Sequence, residues 1–265
     1  MLAALMRQWR DDPNYSHGFL IPLLAAYFIW ERRAAIGRIR PAPQWPGIVV
    51  MAAGLCLLAL GQLGADLFAQ RVSLVVVIVG LTWLVLGKTM LGALRFPVAF
   101  LLFMVPLPAI VLNAVAFPLQ GFAAQAATAA LNTLSIPVLR EGNVITLART
   151  TLEVAEACSG IRSLMSLLTL ATVYAYFTEP VLWRRWVLVA AAVPVAIVAN
   201  AFRVAGTGIL AHYVGEQAAQ GFYHDFSGWL VFVVAFALLL AIAALLRRIG
   251  GARLVEHTPY AVSGS

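Results

Sequence analysis

Cys158, Arg203 and His224 are the residues of this sequence whose types could together perform acyl transfer. A thiolate attacks a carbonyl, an imidazole moves the proton, and a guanidinium holds the oxyanion that forms. Cys158 stands in Glu156-Ala157-Cys158-Ser159-Gly160-Ile161-Arg162, where a polar stretch runs into an apolar one. A cysteine at a helix N-terminus has its thiolate favoured by the unpaired N–H groups and the positive end of the dipole. Arg162, four residues on and therefore on the same helix face, would favour it further. The same positions equally suit a buried small residue beside an arginine that snorkels to the headgroup layer, and spacing alone does not separate the two.

Arg203 lies inside the apolar run Val198 to Gly208, one turn beyond Asn200. An arginine within a membrane-spanning run costs at least about 2.5 kcal/mol unless it snorkels or lines a polar cavity, so it is a functional candidate by default. His224 stands in Phe222-Tyr223-His224-Asp225-Phe226-Ser227-Gly228-Trp229. The neighbouring Asp225 could orient its ring or favour its protonated form. Of the other histidines, His17 follows Asn14-Tyr15-Ser16, His212 is expected in the 210–227 loop, and His257 belongs to a polar tail. Cys56, midway along the run Gly54 to Leu60, reads as a small core hydrophobe, at a depth too different from Cys158 for a disulfide. No His-Glu-x-x-His or comparable metal-ligand spacing occurs, and the acyl-transfer chemistry calls for no metal and no cofactor.

The elements that must position these residues are written in the composition. Of 265 residues, 62% are hydrophobic and 11% charged, so an ordinary soluble globule is excluded and an all-α polytopic membrane bundle remains. The mean hydropathy of +0.91 agrees. The net charge of +7 is carried by 17 Arg and one Lys, which alone would allow nucleic-acid binding, but no basic patch interleaved with aromatics is present. Seven crossings are expected, over about 18–34, 46–64, 70–87, 94–112, 159–178, 186–209 and 228–247. Six tryptophans, at 30, 45, 83, 183, 186 and 229, fall near their ends, where an indole prefers the interface.

The arginines also assign sides. Placing Arg32, Arg33, Arg38 and Arg40 on the cytoplasmic face brings Lys88, Arg95, Arg184, Arg185, Arg247, Arg248 and Arg253 to the same face by alternation. The outer regions are then residues 1–17, a loop over 113–157 and a loop over 210–227, while 248–265 form a cytoplasmic tail of a single integral-membrane domain. The stretch 113–133 carries Pro118, Gln120, Gln125 and Asn132, and is expected as an interfacial or re-entrant helix pair. Val138 to Val154, with a Glu141-Gly142-Asn143 turn signal, is expected as a small hairpin leading into the cysteine segment. The opening Met1 to Met6, turning polar at Arg7, looks like the end of a helix whose beginning is missing, either because the chain is naturally short or because its true start lies upstream, and no small-residue cleavage site marks a removable signal peptide. Cys158, Arg203 and His224 thus come from three helix ends on one side, at similar depth.

At these residues the sequence resembles the exosortase family of membrane cysteine peptidases and transpeptidases. Asn14-Tyr15-Ser16-His17-Gly18-Phe19, Glu156-Ala157-Cys158-Ser159-Gly160-Ile161-Arg162-Ser163-Leu164, Asn200-Ala201-Phe202-Arg203-Val204 and His224-Asp225-Phe226-Ser227-Gly228 carry the likeness, in order over nearly the whole chain. Members have about eight crossings, one more than counted here, and the difference falls at the N-terminus.

The resemblance implies Cys158 as nucleophile with Arg203 and His224 as its partners, and Arg162, Asn200 and Asp225 as auxiliary groups. It implies protein substrates with a C-terminal PEP-CTERM sorting signal and transmembrane helix, an acceptor it does not identify, and a link to exopolysaccharide production. The location implied is the bacterial inner membrane, with the site facing the periplasm and the C-terminus cytoplasmic. Two other readings are kept: an intramembrane serine protease using Ser159, and a non-enzymatic subunit for exopolysaccharide export or assembly.

Overall fold

A computed structural model describes residues 2–147, 151–153, 160–215 and 222–249. Nine α-helices and one small sheet are formed by these residues: α1 (Leu2–Asp11), α2 (Leu20–Glu31), α3 (Arg33–Ile36), α4 (Pro46–Leu63), α5 (Leu67–Phe100), α6 (Ala109–Thr133), strands β1 (Val138–Glu141), β2 (Val144–Leu147) and β3 (Thr151–Glu153), then α7 (Ile161–Thr178), α8 (Leu182–Tyr213) and α9 (Phe222–Ile249). The helices group into two compact units, Met1–Pro118 and Leu119–Ser265.

Among the described residues five helices are long and apolar enough to cross a membrane: Pro46–Leu63, Leu67–Met104, Ala109–Thr133, Leu182–Tyr213 and Phe226–Arg248. The chain is therefore a predominantly helical, multi-pass membrane protein of the all-α class that carries one small sheet. Seven or eight crossings were expected. Gly87, at φ 85 and ψ 170, breaks the long second span into two helical segments, and α2 and α7 are not among the five. The span expected over 94–112 is not continuous, because a 3₁₀ turn at Leu101–Met104 and the Pro106-Leu107-Pro108 sequence separate α5 from α6. The helix pair expected over 113–133 is one helix, α6, which runs through Pro118.

In the first unit, α4 and α5 pack through glycines. A methyl at Gly47 would fall 2.2 Å from the Leu84 backbone nitrogen, and one at Gly80 would fall 2.4 Å from that of Met51. With no hydrophobic effect between helices in lipid, such close backbone approach is what holds them. Phe28 of α2 meets Phe96 and Phe100 edge-on, with centroids 5.0 and 5.2 Å apart. The chain enters α2 through a 3₁₀ helix, Pro13–Phe19, capped by the Asp12 carboxylate accepting from the Asn14 N–H at 2.9 Å. Cys56, expected in the core, is exposed on α4; in a bundle bathed by lipid, an apolar residue gains as much facing outward as inward.

In the second unit α7, α8 and α9 share a seam of small and branched residues: Leu167, Ala171 and Ala175 meet Leu188, Ala192 and Ala196, with Ala235, Leu239 and Ala243 closing it. The expected hairpin is present and is extended by a third strand. β1 pairs antiparallel with β2 around Gly142 and Asn143, and β2 pairs with β3. Gly142, at φ 64, supplies the left-handed conformation that so short a turn needs. Ile145 and Leu147 bury the inner face of the sheet against Ala127 and Leu131 of α6 and Val204 of α8.

The end of this bundle formed by the C-terminus of α7, the N-terminus of α8 and the C-terminus of α9 is closed by a charged clasp. Glu179, fully buried, accepts from Arg247 Nε at 2.6 Å, and its carbonyl accepts from Arg185 Nε at 2.6 Å. Arg247 Nη2 also donates to the Tyr174 hydroxyl at 3.3 Å. Cations here complement the negative end of the α7 dipole.

Candidate active site

At the opposite end of the same bundle the chain passes from the sheet into α7 at Gly160. This residue caps the helix in the left-handed conformation, φ 76 and ψ −3, which a side chain would strain. It also lies against Asn200: a methyl there would fall 2.9 Å from Asn200 Cγ. Asn200 is buried on α8, and Arg203 follows it by three residues on the same face.

The Arg203 guanidinium rests on α9. A methyl at Gly228 would fall 3.2 Å from Arg203 Nη2 and 3.3 Å from Cζ, so the absence of a side chain at Gly228 is what lets the planar group lie there. α8 continues ten residues past Arg203 to Tyr213, so the arginine sits within the helix rather than at its end. His212, expected in a loop, is on that last turn, stacked edge-on with Tyr213 at 4.9 Å.

A cavity of about 250 Å³ joins these elements. Gly160, Arg162, Ser163 and Ser166 of the α7 end line one side, Arg203 another, and Gly228, Trp229 and Phe232 of α9 the third. Its polar lining is one-sided in chemistry, with two guanidiniums, two hydroxyls and the N–H-rich start of a helix, and no carboxylate among the described lining residues. Such a set stabilises negative charge. The volume suits a few residues of an extended peptide and is small for a folded partner.

Of the expected site residues, Arg162, Asn200 and Arg203 come together here. Cys158 lies outside the described residues, as does Ser159. His224 and Asp225 fall in the first turn of α9, where the course of the helix is described and those side chains are not. Sequence reasoning gave no site role to Ser163, Ser166, Gly228, Trp229 or Phe232, although Ser163 and Gly228 stand in the motifs that carry the likeness and Trp229 was read as an interfacial anchor. The signal for the serines was present: with Arg162, they recur at three and four residues on one helix face.

No curated protein and no solved structure matches this chain. The family model described as transmembrane exosortase does, over residues 9–241. That range covers most of both units and every residue lining the cavity, and the chain accordingly belongs to the transmembrane exosortase family.

Proposed function

We propose that this chain is a cysteine peptidase or transpeptidase that cleaves the C-terminal PEP-CTERM sorting signal of exported proteins. The observation that carries the reading is the cavity where Arg203, the start of α7 and the first turns of α9 meet. Cys158 precedes Gly160 by two residues, and covalent geometry alone keeps their Cα atoms within about 7.6 Å. His224 precedes Gly228 by four residues, one turn along α9. Cys158 attacks the scissile carbonyl, and the tetrahedral oxyanion is held by Arg203. His224 gives its proton to the leaving amine, leaving a thioester that water or an acceptor amine resolves.

The substrate's own transmembrane helix would bring its signal laterally to this end of the bundle. The clasp of Arg185, Glu179 and Arg247 at the other end supports a cytoplasmic assignment for that face, since arginines collect on the inner side. The cavity would then open towards the periplasm from the inner membrane, and the C-terminus would be cytoplasmic.

Co-expression with a PEP-CTERM protein tests the reading. Wild type should shorten the substrate, and Cys158→Ala, Arg203→Gln and His224→Ala should leave it full length at undiminished enzyme abundance. Processing that survives Cys158→Ala but not Ser159→Ala would transfer the role to serine. Loss of exported polymer with normal substrate length would point instead to an assembly subunit.

A further inference from the structure

The α7 wall of the cavity carries a positive charge and hydroxyl donors that acyl transfer does not use. Arg203 of α8 rests on Gly228 and takes the oxyanion. A second guanidinium, that of Arg162, lines the α7 wall together with Ser163 and Ser166. Arg162 and Ser166 are four residues apart and Ser163 and Ser166 three, so all of them share one face of the helix.

The polar atoms of this face are not consumed within α7. Further along, the hydroxyls of Thr169, Thr172 and Thr178 donate to the carbonyls of Met165, Leu168 and Tyr174, four residues back, at 2.8, 2.8 and 2.7 Å. Among the described residues Ser163 and Ser166 donate to no such carbonyl, and Arg162 pairs with no carboxylate. Both serines are half-buried and Arg162 is exposed. A guanidinium and two hydroxyls thus line one cavity whose described residues offer them no carboxylate.

We propose that Arg162, with Ser163 and Ser166, forms a side-chain subsite that reads an acidic residue of the substrate peptide close to the scissile bond. The inference rests on the peptidase reading and deepens it: Arg203 meets a charge that forms only during reaction, and Arg162 meets one that the substrate brings. A carboxylate matches a guanidinium in bidentate geometry and keeps lone pairs for the hydroxyls. Trp229 and Phe232 give the same cavity an apolar wall, which limits water around the pair and strengthens it. Two Cα steps lead from Cys158 to Gly160 and two more to Arg162, so the cysteine and arginine Cα atoms are at most about 15 Å apart. An acid held by Arg162 therefore lies within a few residues of the cleaved bond.

The test uses full-length protein in a neutral maltoside detergent and a series of peptides bearing the sorting signal and its transmembrane helix. In the series each acidic residue of the signal is in turn kept or replaced by Gln or Lys. Cleavage by the wild type should fall by about tenfold or more in kcat/KM, chiefly through KM, when one of these acids becomes Gln, as for the loss of a charge-assisted bidentate contact. Arg162→Gln should cleave the acidic and Gln peptides alike, Arg162→Lys should keep part of the preference, and Arg162→Glu should prefer the Lys peptide. Wild type that cleaves acidic and Gln peptides equally overturns the subsite, needs no variant, and leaves the peptidase reading standing. A loss in Arg162→Gln that is the same for every peptide also overturns it, because Arg162 would then act on the thiolate. Binding of the labelled series to Cys158→Ala, read by fluorescence anisotropy, separates the two readings where the wild type cleaves nothing. An acid preference in binding that Arg162→Gln removes keeps the subsite while the peptidase reading fails, and no preference overturns both.

Discussion

The Arg203 guanidinium lies on the backbone of Gly228, close enough that a single methyl would stand 3.2 Å from Nη2. α9 therefore sets the position of the one charged group that α8 offers to the cavity. Gly228→Ala should push the guanidinium by a few tenths of an ångström and lower kcat by about tenfold, with KM little changed, since misplacing a charge stabiliser affects the transition state more than binding. Steady-state kinetics on a peptide substrate measures the split. A change confined to KM would detach Arg203 from the oxyanion role.

Arg203 itself should be far less replaceable. Arg203→Gln is expected to lower kcat by about 10² to 10³, the usual loss on removing an oxyanion donor, while Arg203→Lys restores part of it. Assays on protein of matched abundance separate this from a packing defect, in which both variants would lower yield and spare specific activity.

Gly160 joins two demands, a left-handed backbone and contact with Asn200. Gly160→Ala should destabilise by about 1–2 kcal/mol from the backbone alone and should abolish processing, because the residues that enter α7 would shift. Gly160→Ala combined with Asn200→Gly relieves the contact but not the strain. The double variant should be no more stable than Gly160→Ala, because the left-handed strain persists, and should not regain full activity, as read by melting temperature and substrate cleavage.

The clasp at the far end has the opposite signature. Glu179→Gln removes the charge that Arg247 meets at 2.6 Å, with Glu179 fully buried and Arg247 43% exposed. Discounted for the exposed partner, a loss of about 1–3 kcal/mol is expected in thermal unfolding, with specific activity of the surviving protein unchanged. Loss of activity at full stability would contradict a purely structural role.

His17 gives a pH dependence. Burial holds its pKa below the ordinary value, although the nearby Phe103 and Asn14 backbone groups oppose this. The unfolded chain then binds the proton first as pH falls. Stability is full above the ordinary histidine pKa of about 6.5 and declines as pH drops from there towards the lower folded value. His17→Gln should flatten the fall in melting temperature between about pH 7 and 5. An unchanged slope would show that this histidine is not buried in its neutral form.

Much of this was legible in the sequence because lipid makes polar residues conspicuous. Arg203 and Asn200 stand out in an apolar run, and the Gly142-Asn143 turn announces its hairpin. What was not legible depends on partners distant in sequence. Gly228, although part of a quoted motif, shows its role only when Arg203 lies on it, and Glu179 shows its own only when Arg247 arrives from 68 residues away. Crossing limits were blurred for a physical reason as well. Pro118 within α6 and Gly87 within α5 carry opposite outcomes, since a proline's missing N–H can be tolerated in a membrane helix, whereas a backbone at φ 85 cannot continue one.

The central claim is that Cys158 becomes acylated. Purified protein mixed with a peptide bearing the sorting signal and its transmembrane helix, quenched in acid and mapped by mass spectrometry, tests it directly. The account predicts the N-terminal substrate fragment attached to the Cys158 peptide, released by hydroxylamine and absent in Cys158→Ala. Cleavage by Cys158→Ala, or an acyl group found on Ser159 instead, would contradict it.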